Sequence, residues 1–376
     1  MGRILYGVLG DSGGHISRSL AIAQQLPDHE VVFVGGGRVQ ELTRRGYSVV
    51  PIPMLTTEIS GHRAALMATG WRGFKTLARQ HRVVEDLTRM IEQWDPDLIV
   101  TDFEHFLPLA ARRLGRPCIS VNRQHASLLC RYRRPSGHRI SRLLTHAALR
   151  TLNSSASHYL VCSFVPMQPL DPDRTEVFPP VLRDEVKTVR PTAGDHAVVY
   201  VRGASLAWIR ATFGGRRRRF IVYGFDIDTQ EGNLAFHPHS VPEFLTDLAG
   251  CAYVVTNGGH AIISEALYFG KPILSFPMEF FYEQLLNAHL LTEAGYGSYA
   301  KSSAGNAAVT SFEARLSTYG ERVSSYVPWG CQTIAGRLRE LMTSRGATGA
   351  AARARDPVDP ERLARAGGNA ISGWGS

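Results

Sequence analysis

The stretch TNGGHAIISEALYFGKPILSFPMEFFYEQLLNAHLL, from Thr256 to Leu291, joins two apolar strands and two helices through polar turns. The first strand ends at Asn257, and Gly258 and Gly259 then allow the backbone to approach a ligand before a helix begins. The first N–H groups of a helix have no partner within it, and the helix dipole adds partial positive charge there. The turn is therefore predicted to bind an anion such as a phosphate.

Three further polar side chains follow in the same stretch. Glu265 lies about two turns into the helix, where its carboxylate can accept hydrogen bonds from a ribose diol. The next strand ends at Pro277, and Glu283 and Gln284 begin another helix. The Glu283 carboxylate and the Gln284 amide are expected to bind hydroxyl groups of the same ligand.

Short β-branched runs alternate with helix-period segments along the chain, which predicts parallel sheets covered by helices on both faces. The predicted strands of the first half are Ile4–Leu9, Val31–Val34, Ser48–Ile52, Asp97–Thr101, Pro117–Val121 and His158–Ser163. The predicted helices between them are His15–Leu26, Phe74–Trp94, Leu107–Leu114 and Ile140–Leu152. In the second half the strands are HAVVYV, RFIVYGF, NLAF, AYVVTN and PILSFP, and the helices are Leu206–Thr212, Pro242–Leu248, Ala261–Phe269 and Glu283–Ala294.

The pattern pauses at FPPVLRDEV, Phe178 to Val186, where paired prolines disfavour both a helix and a central strand. We predict an interdomain linker here, between a Rossmann-like domain at residues 1–180 and a second one at 187–343. Two such domains place a ligand cleft between them, at the carboxyl ends of both sheets. Residues 344–376 are rich in Ala, Arg, Gly and Pro without apolar periodicity, so a disordered tail is predicted.

The composition excludes several classes of protein. The chain of 376 residues is 44% hydrophobic, which is enough for two domains with apolar cores. No apolar run approaches the roughly 20 residues of a transmembrane helix, and no signal-peptide cleavage site follows the first run. Five scattered cysteines without a Cys-x-x-Cys pair predict reduced thiols in a cytoplasmic protein and no metal site.

The formal net charge of +9 favours an anionic partner. No aromatic-interleaved basic stripe or zinc-finger spacing accompanies it, so we expect no nucleic acid. The segment Met54 to Lys75 and the basic run Arg131 to Arg134 are candidates for peripheral contact with a membrane surface or a lipid phosphate.

The stretch that begins at Thr256 resembles the donor-binding signature of GT-B glycosyltransferases that use nucleotide-diphosphate sugars, of both the UDP-glycosyltransferase and the MurG-like types. The GG pair, Glu265, GKP, Pro277 and EQxxNA share the family's order and spacing over some thirty residues. The resemblance implies an α/β fold of the GT-B type, with two Rossmann-like domains facing each other across a cleft. It also implies roles for the polar residues: the pyrophosphate on Gly258 and Gly259, ribose on Glu265, and the sugar on Glu283 and Gln284.

The signature departs from the family pattern at three positions. Asn257 stands where many plant-type members have a phosphate-binding His, and Ala261 and Ile262 stand where small polar side chains commonly touch phosphate. Backbone N–H groups, helped by His260, must then hold more of the pyrophosphate.

The resemblance extends to GDSGGHISRSLAIAQQL, residues 10–26, behind the first strand. It implies that His15 is the general base for the acceptor hydroxyl and that Asp102, at the end of a later strand, orients it. A histidine near its ordinary pKa of about 6.5 suits this task, and Gly14 leaves room for the donor. Other interpretations stay open: His15 only shapes the turn, Asp102 only caps the following helix, or the base is one of two nearby carboxylates, Asp11 and Glu104.

The donor's base is expected in FHPHSVPEF, residues 236–244, where His239 and Val241 are candidate contacts and Phe236 and His237 are further ones. His239 stands where plant-type members have a stacking tryptophan, and a surface loop is the alternative. Arg202, in the turn VRGAS, is a candidate phosphate contact or a surface arginine.

The sequence thus predicts an inverting, metal-independent glycosyltransferase without a cofactor, which moves a sugar from a UDP-sugar or a related donor to an acceptor hydroxyl. The acceptor is a glycan, a lipid-linked molecule or a small molecule, and the location is the cytoplasm or the inner face of the membrane. The alternatives are an enzyme like UDP-N-acetylglucosamine 2-epimerase, a hydrolase, or a silent sugar-nucleotide-binding protein. A Rossmann oxidoreductase does not fit, because the first turn lacks G-x-G-x-x-G and the second strand ends without an acid.

Overall fold

The computed structural model describes residues 1–11, 13–54, 59–60, 63–64, 80–153, 155–238 and 240–346. Three predictions fall wholly or mostly outside this part: His239 as a base contact, the segment Met54 to Lys75, and the tail beyond residue 346. The first residues of the helix predicted from Phe74 lie outside it as well.

The first sheet has seven strands, all parallel, in the order β7-β6-β5-β4-β1-β2-β3. Its strands are β1 (Arg3–Val8), β2 (Glu30–Gly35), β3 (Ser48–Pro51), β4 (Leu98–Asp102), β5 (Cys118–Asn122), β6 (His158–Cys162) and β7 (Thr175–Phe178). The second sheet also has seven strands, β8 (Ala197–Tyr200), β9 (Phe220–Tyr223), β10 (Thr229–Glu231), β11 (Leu234–His237), β12 (Tyr253–Thr256), β13 (Ile273–Ser275) and β14 (Gly297–Tyr299). Their order is β10-β11-β9-β8-β12-β13-β14, and β10 runs antiparallel to β11 while the other pairs are parallel.

Helices connect the strands. They are α1 (Gly13–Gln24), α2 (Gln80–Trp94), α3 (Phe106–Arg113), α4 (Ala126–Leu129), α5 (Arg139–Leu152), α6 (Asp184–Thr188), α7 (Leu206–Phe213), α8 (Val241–Gly250), α9 (His260–Tyr268), α10 (Tyr282–Glu293), α11 (Gly305–Glu313), α12 (Leu316–Ser324) and α13 (Ile334–Gly346). Two 3-10 helices (Gly37–Arg45, Ser302–Ala304) and two short antiparallel pairs (Ile59–Ser60 with Arg63–Ala64, Cys130–Arg131 with Gln168–Pro169) complete the described chain. None of the described helices is long and apolar enough to cross a membrane.

The predicted alternation of strands and helices is confirmed in both halves, with bounds that differ by a few residues. Three edge strands, β7, β10 and β14, were not predicted, because they are short and carry partly exposed side chains. Both sheets have apolar side chains packed on each face.

The register of the strands brings the two turns of interest to sheet edges. Val8 of β1 lies opposite Asp102 of β4, so the turn after β1 and the end of β4 are neighbours. In the second sheet Tyr200 lies opposite Thr256, which places the turn after β8 beside the glycine turn after β12.

The last described helix does not follow the predicted domain boundary. Ile334, Ala335 and Leu338 of α13 are buried in the core of the first sheet, although residues up to 343 were predicted in the second domain. Their spacing places them on one face of the helix. Burial of this apolar face is the physical reason why the chain returns to the first domain at α13.

Candidate active site

His15 and Asp102 meet at the edge of the first sheet. His15 lies in the first turn of α1, and its Nδ1 is 2.7 Å from Oδ1 of Asp102, the last residue of β4. The His15 side chain is 7% exposed and that of Asp102 is fully buried. The pair expected from the sequence is therefore assembled in a solvent-shielded position.

Arg18 is a third member of this cluster that the sequence reasoning missed. Its Nε and one terminal nitrogen donate to the two carboxylate oxygens of Asp102 at 2.8 and 2.5 Å, and Ser19 donates to the same carboxylate at 3.2 Å. The His-x-x-Arg spacing could have indicated that Arg18 lies next to His15, because residues three apart share a helix face.

The neighbours of His15 set its charge. Burial lowers the pKa of His15, but the charge and hydrogen bond of Asp102 outweigh this and raise its pKa above 6.5, while Arg18 opposes the rise. Burial raises the pKa of Asp102, and Arg18 and His15 together hold it below its usual value. Asp102 is therefore a carboxylate that stabilises a proton on His15.

The second ring nitrogen of His15 is the atom available for chemistry. With Nδ1–H donating to Asp102, Nε2 is an acceptor, and the side-chain amide of Gln124 lies 3.2 Å from it. Phe103 stacks on the imidazole, with ring centroids 5.9 Å apart at 12°. Its φ of 61° is in the left-handed region, which is unusual for an aromatic residue. These contacts fix the ring with Nε2 as a proton acceptor.

Glu104, rather than Asp102, caps the following helix. Its carboxylate accepts the backbone N–H groups of Phe106 and Leu107, both at 2.7 Å. Burial raises the pKa of Glu104 to about 7, against the effect of these N–H groups. The capping interpretation of Asp102 is therefore wrong, and Glu104 is committed to the helix.

The glycine turn of the second domain has the predicted form. Gly258 has a φ of +92°, and a Cβ there would lie 2.7 Å from the carbonyl oxygen of Gln284, so only glycine fits. Helix α9 begins at His260, immediately after Gly259. Gly14 of the first domain faces this helix start, since a Cβ on Gly14 would be 3.8 Å from the Cβ of Ala261.

Asn257 and Arg202 hold the turns together. The Asn257 side chain accepts the backbone N–H of Arg202 at 2.6 Å and donates to the carbonyl of Phe276 at 3.1 Å. The Asn257 amide thus fastens the turns after β8, β12 and β13 to one another, while the Arg202 side chain is exposed.

His260 presents an unused nitrogen. It is buried, and its Nε2 has no hydrogen-bond partner among the described residues. Burial lowers the pKa of His260 well below its usual value, and Arg123 and Arg18 lower it further. A neutral imidazole in this position can hydrogen-bond a ligand at the start of α9.

Glu265 is paired with a linker residue that the sequence did not reveal. Arg183 donates to both of its carboxylate oxygens, at 2.9 and 3.2 Å. Burial raises the pKa of Glu265, while Arg183 counteracts it. Both residues line a small pocket between the two domains, and its other lining residues are Gly14, Ser17, Arg18, Val181, His260 and Ala261.

Helix α10 carries the two predicted sugar contacts in its first turn. Glu283 is half-buried there, and the Gln284 side chain accepts the backbone N–H of Met278 at 3.0 Å. Next to them, the fully buried Arg123 donates to Asn287 at 2.9 Å, and Asn287 donates to the carbonyl of Gly258 at 3.0 Å. Arg123, which follows β5, thus connects the first domain to the glycine turn.

The predicted base-binding stretch is only partly suited to its role. Phe236 is fully buried in the core of the second sheet, so it is not available to stack on a base. Nδ1 of His237 lies 3.3 Å from Oδ1 of Asp228, and Val241 is the first residue of α8.

Over the ranges that the structure describes, no group of three or more His, Cys, Asp or Glu side chains is placed to hold a metal ion.

Comparisons with known proteins agree with this architecture. The profile of the family described as Glycosyl transferase family 1 matches residues 2–317. An uncharacterized glycosyltransferase of Methanosarcina acetivorans is 26% identical over 324 residues, 78% of this chain and 84% of that protein. One of Methanosarcina mazei is 26% identical over 336 residues, with 78% and 85% covered.

Solved structures confirm the GT-B fold. The glycotransferase of kitacinnamycin superposes with a TM-score of 0.61 at 20% identity, covering 92% of this chain and 97% of that one. UGT89C1 of Arabidopsis thaliana, complexed with UDP, gives 0.60 at 14% identity with 93% and 99% covered. VinC in complex with dTDP gives 0.54 at 16% identity with 96% and 99% covered.

Proposed function

The chain belongs to glycosyl transferase family 1, and on that premise we propose that it transfers a sugar from a nucleotide-diphosphate donor to an acceptor hydroxyl with inversion. One observation carries the proposal: His15, whose Nδ1 is 2.7 Å from Oδ1 of Asp102, lies in the first turn of α1, and this turn faces the start of α9 across the cleft. A proton acceptor and an anion-binding helix start on opposite walls are what such a transfer requires.

His15 takes the proton in this scheme. The acceptor hydroxyl gives its proton to Nε2, its oxygen forms a bond to the anomeric carbon, and the bond from that carbon to the diphosphate oxygen breaks. The electron pair of the broken bond leaves with the nucleotide diphosphate. Asp102 stabilises the imidazolium, and Arg18 and Ser19 hold Asp102 in place.

The donor's diphosphate is assigned to the glycine turn. Backbone N–H groups at Gly259 and His260 and the dipole of α9 supply positive charge to it, as does Arg18 on the opposite wall. We therefore propose that departure of the diphosphate needs no metal ion. Glu265 would accept the ribose hydroxyls, and Glu283 and Gln284 those of the sugar.

UDP is the proposed nucleotide and dTDP its competitor, since similar structures were solved with each of them. Isothermal titration calorimetry with UDP, dTDP, GDP and ADP tests this choice, and UDP should bind most tightly. Failure of every nucleotide diphosphate to bind would contradict the proposal.

The matching sugar donors are then incubated with the protein without acceptor, and NMR monitors the release of nucleotide diphosphate. This measurement separates transfer from the alternatives. Epimerisation at C2 of the sugar would favour the epimerase interpretation. The acceptor class and the cytoplasmic location stay predictions.

A further inference from the structure

Helix α5 has an apolar face turned to solvent. At 3.6 residues per turn, Ile140, Leu143, Leu144 and Ala147 share one side of it, and the three larger side chains are 71%, 68% and 46% exposed. Among the described helices, no other one exposes more than one large hydrophobic side chain. Burial of apolar surface is the main stabilising effect in folding, so this face requires an explanation.

The same part of the chain carries its positive charge. Residues 105–170 contain ten arginines and no Lys, Asp or Glu, whereas the whole chain has a net charge of +9. The remainder of the chain is therefore close to neutral. Arg131, Arg134, Arg139 and Arg150 are exposed on or next to α5, and Arg139 and Arg150 lie along one margin of the apolar face.

We propose that α5 docks this protein on an anionic membrane surface. A helix that combines exposed leucines with flanking arginines lies in the plane of the headgroups, with its apolar side chains below them. Each arginine near such a surface adds attraction to the anionic lipids. We define this docking face as Arg139, Ile140, Leu143, Leu144 and Arg150.

Other occupants fit the docking face less well. In a symmetric dimer the same patch meets itself, so Arg139 and Arg150 of one copy would approach those of the other and repel them. A nucleic acid would match the charge of the docking face. Its bases, however, stack on aromatic side chains, whereas Ile140, Leu143 and Leu144 are aliphatic.

The docking face adjoins the cleft. His146 of α5 packs edge-on against Tyr282, with ring centroids 6.1 Å apart, and Tyr282 begins the helix that carries Glu283 and Gln284. A protein held by α5 therefore has this wall of the cleft close to the membrane. This is the geometry needed to reach an acceptor hydroxyl at the surface of a bilayer.

Flotation of the full-length protein with vesicles tests the proposal. One set of vesicles contains phosphatidylcholine alone, and the other contains phosphatidylcholine with phosphatidylglycerol. Wild type should float with the anionic vesicles and much less with the neutral ones, and rising salt should release it. Absence of flotation with the anionic vesicles would overturn the proposal.

Substitutions then locate the contact. The triple variant I140Q/L143Q/L144Q, which keeps the charge, should lower the partition coefficient at least tenfold. Val327→Gln replaces one exposed apolar side chain elsewhere on the molecule, where Val327 is 76% exposed, and as the control it should have no effect. Undiminished flotation of the triple variant would contradict the assignment to α5.

The arginines are tested in the same way. R139Q/R150Q should lower the partition coefficient about fivefold per arginine. R217Q/R219Q removes the same charge from two exposed residues of the second domain and should have a smaller effect. Equal effects of the two pairs would mean that net charge, and not the docking face, governs binding.

Two measurements separate this proposal from its rivals. Sedimentation equilibrium should show the same oligomeric state for wild type and the triple variant. A wild-type dimer that is absent in the triple variant would mean that a second copy of the chain binds the docking face. Calorimetry with UDP should give the same Kd for the triple variant and wild type. The vesicle result does not depend on whether any nucleotide binds, so the two proposals can fail separately.

Discussion

Arg18 donates to both carboxylate oxygens of Asp102, at 2.8 and 2.5 Å, and thereby shares this carboxylate with His15. The guanidinium keeps Asp102 ionised in a fully buried position, but its charge also opposes a proton on His15. Arg18 therefore orients the pair and moderates the basicity of the imidazole. The pH dependence of transfer in variants of Arg18 and Asp102 follows from this balance.

Replacement of Arg18 by Met should move the acid limb of the pH profile upward. Transfer requires neutral His15, so kcat/KM falls as the pH drops through its pKa. Arg18 lowers that pKa, so its removal raises it. Donor turnover, followed as release of nucleotide diphosphate, gives the profile. Arg217→Met, at an exposed position, is the control, and a limb that stays in place or moves down would contradict this role.

Asp102→Asn should move the same limb the other way. Asp102 is the main cause of the raised pKa of His15, and without its charge the effect of burial dominates and lowers the pKa. We expect kcat to fall at least a hundredfold, since the general base loses its orienting partner. The test is the pH profile next to that of Arg18→Met: two limbs that move in the same direction would refute the account.

Glu265→Gln should weaken nucleotide binding. A hydrogen bond to a charged group contributes about 1.5–3 kcal/mol, so the Kd of UDP should rise roughly ten- to a hundredfold. UDP and its 2′-deoxy analogue should differ in wild type and bind almost equally to the variant. If UDP and its 2′-deoxy analogue had the same ratio of Kd values in wild type and variant, Glu265 would not be a ribose contact.

Glu104→Gln should change how stability depends on pH. The folded protein holds the Glu104 proton up to a pH of about 7, while the unfolded chain releases it near 4.5. The contribution of Glu104 to the stability of the wild type is therefore lost as the pH rises through this window, and amounts to about 3 kcal/mol. Urea unfolding at pH 4 and pH 8 should show the variant losing less over this range. An equal loss in both proteins would be inconsistent with the raised pKa.

Much of the fold was predictable from local patterns. Apolar runs and turn glycines located the strands, and the glycine turn placed Gly258 at the start of α9. The return of α13 to the first domain could not be read this way, because its apolar residues fit either core equally well by sequence.

The sequence predicted a site residue only where the order of the family's motifs or the end of a predicted strand determined its position. His15 and Asp102 were found in this way, while Arg183 and Arg123 were not. Arg183 pairs with Glu265 and Arg123 with Asn287 across the domain interface, and no local pattern records partners that are far apart in the chain. Asn257 was found for its position, but its contacts assign its side chain to holding the turns.

The most direct test of the account is donor turnover by His15→Ala at saturating donor, with exposed His81→Ala as the control. We expect at least a hundredfold loss of turnover in His15→Ala, with the Kd of UDP within about twofold of wild type. Near-normal turnover would contradict it and leave Asp11, in the same turn, as the favoured base.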